Sequence, residues 1–207
     1  VIELEKGILI VFEGIDGGGK TTQAERLLET LVDKGFDAVY FREPSDSRWG
    51  RIIREKAVRN DSLTPDEELD LFQKDRRENV EKNLKPALAS RRLVILDRYY
   101  FSTMAYQGAK GLDPELIRET NEDFAVPPDL VFILDVDPGK GLKRTEGRKQ
   151  RDLLFEREDY LSRVRDIFRG LEGDEFFHLD ALRPLEDVAG DISRIVLDFL
   201  EFFVIEE

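Results

Sequence analysis

The 207-residue sequence has no cysteine, one histidine, one methionine and one tryptophan. Without cysteine it can form neither a disulfide framework nor a thiolate zinc site, and one histidine leaves no imidazole pair for a metal. No apolar stretch approaches the roughly 18 residues that a membrane-spanning helix needs. The segment VIELEKG at residues 1–7 carries acids where a secretory leader would carry a basic region, so the expectation is a soluble cytoplasmic protein.

Positive charge is also in short supply: 32 Lys and Arg face 45 Asp and Glu, a net charge of −13. Long-range repulsion on that scale excludes a general nucleic-acid-binding surface or an acidic membrane as partner. A phosphate-binding protein with this balance must gather its cations in one cleft. Charged residues make up 37% of the chain, which together with the scarcity of cysteine and methionine follows the compositional trend of hyperthermophile proteins. One domain over residues 1–207 is the simplest organisation for this length.

Against these absences stands one short motif. Residues 14–21 read GIDGGGKT, after the apolar run Ile8–Phe12 and before an amphipathic stretch. This is the G-x-x-x-x-G-K-[ST] phosphate loop in its strand–loop–helix setting. Its glycines let backbone N–H groups turn inward around a polyphosphate, and the following helix presents its positive dipole end. Lys20 supplies a mobile charge for the terminal phosphates and Thr21 a hydroxyl for the Mg2+ ion that bridges them. Ala24, Leu27, Leu28, Leu31 and Val32 recur at helical spacing, so the helix after the loop has one buried face.

Further apolar runs, Ala38–Phe41, Leu93–Leu96 and Leu130–Leu134, with Glu175–Leu179 as a last short strand, predict strands that alternate with helices. Thr64-Pro65-Asp66-Glu67 reads as a capping box opening a helix to about Ala89, and Asp113-Pro114 and Asp137-Pro138 read as further helix starts. The last helix carries Val188, Ile192, Val196 and Phe199 on one side. Such alternation implies a parallel sheet whose ligands gather at the carboxyl ends of the strands. The loop at 14–21, Arg42–Pro44, Asp97–Tyr99 and Asp135–Asp137 should then share one rim.

Arg42 and Arg98 end two of these strands and suit bidentate recognition of a monophosphate, or else pair with Glu43 and Asp97. Phe72 and Arg76, four residues apart on one helix, offer an aromatic face and a planar donor for a base, with core packing as the other role for Phe72. Asp97 and Asp135 both close an apolar strand as a magnesium-side acid would, and periodicity does not choose between them. His178 lies far from every motif and is expected to be structural. The cationic segment KRTEGRKQRDLLFER at 143–157 reads as a basic lid over the triphosphate or as a solvated helix face.

Several segments taken together resemble thymidylate kinases: FEGIDGGGKTTQ (12–23), REP (42–44), LFQKDRRENV (71–80), DRYYFSTMAYQGAK (97–110) and PPDLVFILDVDP (127–138), in family order. The resemblance implies an α/β protein with the three-layer α/β/α P-loop NTPase fold, a five-stranded parallel sheet and a small helical lid at about 143–157. It implies ATP and Mg2+, dTMP as acceptor, and a homodimer. Gly14, Ile15, Asp16, Gly17, Gly18, Gly19, Lys20, Thr21 and Thr22 would hold ATP with Arg144. Glu13 and Asp16 would lie near the sugar 3′-hydroxyl, and Arg42 and Arg98 would hold the dTMP phosphate. Phe72 would stack on thymine, Arg76 would reach its O4, Ser102 and Gln107 would lie near the base edge, and Tyr106 would crowd the 2′ position. Asp97 would act with Thr21 on magnesium.

Some features depart from the family pattern. Ser45-Asp46-Ser47 stands where relatives often have Gly-Gly-Thr, and Gly17 stands where some have an arginine. The resemblance then implies that the lid supplies the transition-state cation, from Arg148 or Arg151. A kinase for another nucleoside monophosphate or for a deoxynucleoside is the nearest alternative. A GTP switch is disfavoured by the lack of an N-K-x-D signature, and a non-catalytic nucleotide module by Lys20, Thr21, Asp97 and the basic lid.

Overall fold

The computed structural model describes residues 2–59, 63–145 and 151–205. The apolar runs form parallel strands β1 (Ile8–Glu13), β2 (Ala38–Arg42), β3 (Leu93–Asp97), β4 (Leu130–Asp135) and β5 (Phe176–Asp180). They make one five-stranded sheet in the order β2-β3-β1-β4-β5. Every residue of β1 and β3 is buried, which is why their sequences run apolar without alternation. The edge strands β2 and β5 are only partly covered and keep more polar side chains.

The helices are α1 (Lys20–Asp33), α2 (Arg48–Arg59), α3 (Pro65–Asn79), α4 (Lys85–Ala89), α5 (Tyr100–Gly108), α6 (Pro114–Glu122), α7 (Pro138–Thr145), α8 (Arg151–Arg169) and α9 (Leu185–Leu200). Helices α1 and α9 pack on each other over the β1–β3 side, while α4 lies against β3 and α8 against β4. The result is the expected three-layer α/β/α arrangement. Its buried apolar residues form one cluster running from Leu4 through the sheet to Leu200.

In the parallel register Phe12 and Arg42 both stand opposite Asp97. The carboxyl ends of β1, β2 and β3 therefore meet, and the polar residues that end them share one rim.

Two stretches differ from expectation. The capping box at Thr64 forms, with the Glu67 amide donating to the Thr64 hydroxyl at 3.2 Å and the Glu67 carboxylate accepting from the Thr64 amide at 2.8 Å. The helix it opens is interrupted, however, by a π-helical turn at Val80–Leu84. Pro86 lacks an N–H, and its ring would crowd the carbonyl four residues back, a conflict that a wider turn relieves. Helix α2 was not anticipated. Its apolar residues Trp49, Ile52, Ile53 and Ala57 recur at helical spacing, a signal the sequence reading passed over, although among the described residues only Gly50 is fully buried.

Candidate active site

The phosphate loop leaves β1 at Gly14 and enters α1 at Lys20. Gly17 and Gly19 adopt φ of 85° and 81°, left-handed conformations that side chains disfavour. A Cβ on Gly17 would also lie 2.4 Å from the carbonyl oxygen of Gly141 in α7, so the loop and α7 meet backbone to backbone. The first turn of α1 contains no acidic residue, which leaves its amide end open to an anion. Lys20 is only 6% exposed, and its ammonium donates to the Ile15 carbonyl at 2.9 Å. Burial, reinforced by the nearby Arg98 charge, lowers its pKa to about 8 against the pull of Asp16, Asp97 and Glu13.

This loop floors a cleft of about 740 Å³. Asp16, Gly17, Gly19, Lys20, Thr21 and Thr22 line it, whereas Gly14, Ile15 and Gly18 are buried behind the loop. The cleft gathers Arg42, Arg54, Arg98, Arg144 and Arg157, the concentration of cations that so acidic a chain requires. Arg144 donates to the carbonyls of Gly17 (3.1 Å) and Ala181 (3.2 Å), tying α7 to the loop. Arg148 lies outside the described residues, as does the side chain of Arg151.

The two strand-end acids separate. The Thr21 hydroxyl donates to Asp97 Oδ2 at 2.5 Å, and the Tyr40 hydroxyl reaches the same oxygen at 3.2 Å. Asp97 Oδ1 is buried without a hydrogen-bond partner among the described residues. Asp135 instead accepts two hydrogen bonds from Arg165, at 2.5 and 2.8 Å, which hold its pKa below the ordinary range and anchor α8 to β4.

A second, more apolar cavity of about 350 Å³ adjoins the cleft, and Phe72, Arg76, Ser102, Tyr106 and Gln107 all line it. Phe72 is half-buried and outside the main apolar cluster, so its ring is available to the cavity. Arg76 is buried and spends three donors on protein, toward Glu43 (2.8 Å), Asn121 (2.7 Å) and Thr103 (3.0 Å). Burial pushes the Glu43 carboxyl up to about 7 despite Arg76. Glu43, the alternative partner for Arg42, is thus engaged by Arg76 instead. Arg98 pairs with Asp16 at 2.5 Å instead of with Asp97, and hydrogen-bonds the Ser102 hydroxyl at 3.0 Å. Although burial alone would raise it, the Asp16 carboxyl is lowered by the charges of Arg98 and Lys20. The guanidinium of Arg98 sits 5.3 Å from the centre of the Tyr106 ring, and Arg98 itself holds φ at 70°, a backbone conformation costly for a non-glycine residue.

Glu13, expected near the sugar 3′-hydroxyl, sits where β1 meets α5. It is fully buried and its carboxylate accepts from the Tyr99 amide (2.8 Å), the Ser102 amide (3.0 Å) and the Ser102 hydroxyl (2.5 Å). It caps the start of α5, because an acid on a fully buried strand needs partners and the free amides at a helix N-terminus supply them. His178 is structural as expected, with Nε2 2.8 Å from the Leu171 carbonyl.

Several lining residues escaped the sequence reading: Arg54, Glu68, Thr103, Lys110 and Tyr160. Arg54 sits on the unanticipated α2 and donates to the carbonyls of Pro44 and Ser45. The Ser45–Ser47 turn that departs from the family pattern is organised by buried Asp75, which accepts from the Ser45 amide at 2.8 Å and from both hydroxyls at 2.6 Å.

A family model described as thymidylate kinase matches residues 12–192. A relative named probable thymidylate kinase, from Archaeoglobus fulgidus, is 44% identical over 194 residues, which span 93% of this chain and 96% of that one. Proteins named thymidylate kinase from Akkermansia muciniphila and Xanthomonas oryzae are each 46% identical, over 91% and 95% of this chain and 91% and 86% of theirs.

Proposed function

The chain belongs to the thymidylate kinase family, and from that premise we propose how its two adjoining cavities divide the reaction. The enzyme is an ATP-dependent dTMP kinase, a phosphotransferase that converts ATP and dTMP into ADP and dTDP. In our reading ATP occupies the cleft over the phosphate loop. The thymidine part of dTMP fills the apolar cavity, its base against Phe72, with its phosphate directed to Arg42, Arg54 and Arg98. The observation that carries this division is the seam: Asp16, Glu43, Pro44 and Arg98 line both cavities.

A dTMP phosphate oxygen then attacks the γ-phosphorus of ATP in line, and the bond from that phosphorus to the β–γ bridging oxygen breaks to leave ADP. The acceptor is already anionic, so positioning and charge neutralisation carry most of the catalysis. Lys20 and Arg98 supply part of that charge. The lid, through Arg144 and the expected Arg148 or Arg151, supplies the rest and excludes water.

Mg2+ fits Thr21 and Asp97, a hydroxyl and a carboxylate with one buried oxygen unpartnered among the described residues, because this ion takes one or two protein oxygens beside substrate phosphates. When bound it would neutralise charge across the β- and γ-phosphates. A homodimer is the assembly we favour, on the family resemblance. We place the enzyme in the cytoplasm. No helix among the described residues is long and apolar enough to cross a membrane.

Steady-state ATP consumption with a panel of nucleoside monophosphates and with thymidine tests the site assignment. We expect dTMP to be preferred, thymidine to be inert, and Arg42→Ala to raise the KM for dTMP by about tenfold or more, the scale of one charged hydrogen bond. Turnover of thymidine, or an unchanged KM in that variant, would refute the phosphate assignment.

A further inference from the structure

We propose that Glu68 acts as a positioning residue that fixes the orientation of the Gln107 amide, so that the cavity reads the donor–acceptor polarity of the pyrimidine edge. The inference rests on the assignment of the acceptor base to this cavity.

Gln107 lies on α5 at 2% exposure, and its Nε2 donates to Glu68 Oε2, on α3, at 2.8 Å. The same carboxylate oxygen accepts from Lys110 Nζ. A carboxylate ion-paired in this way only accepts hydrogen bonds, so the NH2 end of the amide must face it and the carbonyl end must face away. Gln107 Oε1 is buried and has no partner among the described residues, and both Gln107 and Glu68 line the cavity. A buried carbonyl without a donor is costly, which makes this oxygen an acceptor held in waiting for a ligand N–H.

The same cavity offers donors through Arg76 and Thr103. Arg76 Nη2 donates to Thr103 Oγ1 at 3.0 Å, so the hydroxyl proton of Thr103 must point elsewhere. The guanidinium retains two further N–H groups beyond the three bonds it makes. An acceptor beside donors matches an imide edge, where a ring N–H adjoins carbonyls. A cytosine edge, with a ring nitrogen lone pair beside an amino group, would set acceptor against acceptor and donor against donor. Discrimination between the two edges thus depends on an amide that cannot turn over, and Glu68 is what prevents the turn.

The test compares kcat/KM for dTMP and dCMP, with ATP saturating, in the full-length enzyme and in Glu68→Gln, which keeps the shape but can donate as well as accept. The dTMP-to-dCMP ratio should fall by about tenfold or more, the scale of one buried hydrogen bond mispaired, chiefly through KM. Glu68→Asp, which retains an acceptor-only group, should restore most of the ratio. In a Gln107→Leu background, Glu68→Gln should move the ratio no further, since its route of action is gone. A loss shared equally by both substrates, or an unchanged ratio, would overturn the inference. So would a further fall in the Gln107→Leu background, which also serves if Glu68→Gln alone does not fold. Wild-type enzyme that prefers an acceptor other than dTMP would instead refute the assignment of the cavity, whatever Glu68 does.

Discussion

Lys20 shows how burial sets the chemistry of a single residue. Its ammonium is almost enclosed, beside the Arg98 charge and with the Ile15 carbonyl as its close partner, and its pKa falls to about 8. A triphosphate binds the charged form, so above this pH the free enzyme must take up a proton to bind ATP. Affinity therefore falls as pH rises through about 8, and below that value Lys20 contributes no pH dependence. We expect the Kd for ATP, measured calorimetrically, to be level from pH 7 to 7.5 and to climb toward tenfold per unit once Lys20 is mostly neutral. A level profile from pH 7 to 10 would contradict the assignment. Lys20 and Thr21 were legible in the sequence because the loop spacing itself defines their positions. Glu68 was not, because its role depends on α5 crossing α3, a contact that no local pattern encodes.

Among the elements, the approach of α7 to the phosphate loop explains a departure from the family pattern. Some relatives carry an arginine where this chain has Gly17, yet here a Cβ at that position would strike the Gly141 backbone, and one at Gly141 would lie 2.7 Å from the Asp16 carbonyl. Two backbones this close must both be glycine at the contact. We expect Gly17→Arg to lose ATP binding and to cost about 1–3 kcal/mol of stability, as overpacking does, instead of adding a catalytic cation. Denaturant unfolding and ATP titration check this, and a stable variant that binds ATP normally would show that α7 yields readily. The strands, α1, and the starts of α3, α6 and α7 were legible because their runs, spacing and caps are local signals. Helix α2 and the π turn were not. The first is short and heavily charged, so its apolar spacing at Trp49, Ile52, Ile53 and Ala57 was overlooked, and the second follows from the crowding at Pro86 instead of from any hydrophobic period.

For the whole molecule, the net charge of −13 coexists with a web of close ion pairs, and the two respond to salt in opposite ways. Lys6–Asp129 (2.5 Å), Arg26–Glu186 (2.6 Å) and Arg92–Asp37 (2.9 Å) join segments distant in sequence. Along α3 and the turn after it, Asp70–Lys74, Glu78–Lys82 and Glu81–Lys85 place the acid four residues before the base, the favourable direction for helical pairs. Isolated surface pairs add little at room temperature, but the cost of desolvating them falls on heating. The melting midpoint should therefore lie above the ~45–65 °C range of mesophile domains. Contacts under 4 Å sit well within the ~8 Å Debye length at physiological salt and are only weakly screened there, whereas repulsion among the excess carboxylates acts over longer distances and is screened first. Raising NaCl from about 0.01 to about 0.15 M should accordingly raise the midpoint by a few degrees. Scanning calorimetry at the two concentrations decides the matter: a midpoint inside the mesophile range would refute the thermal expectation, and a fall with salt would show that the pairs, not the repulsion, dominate the response.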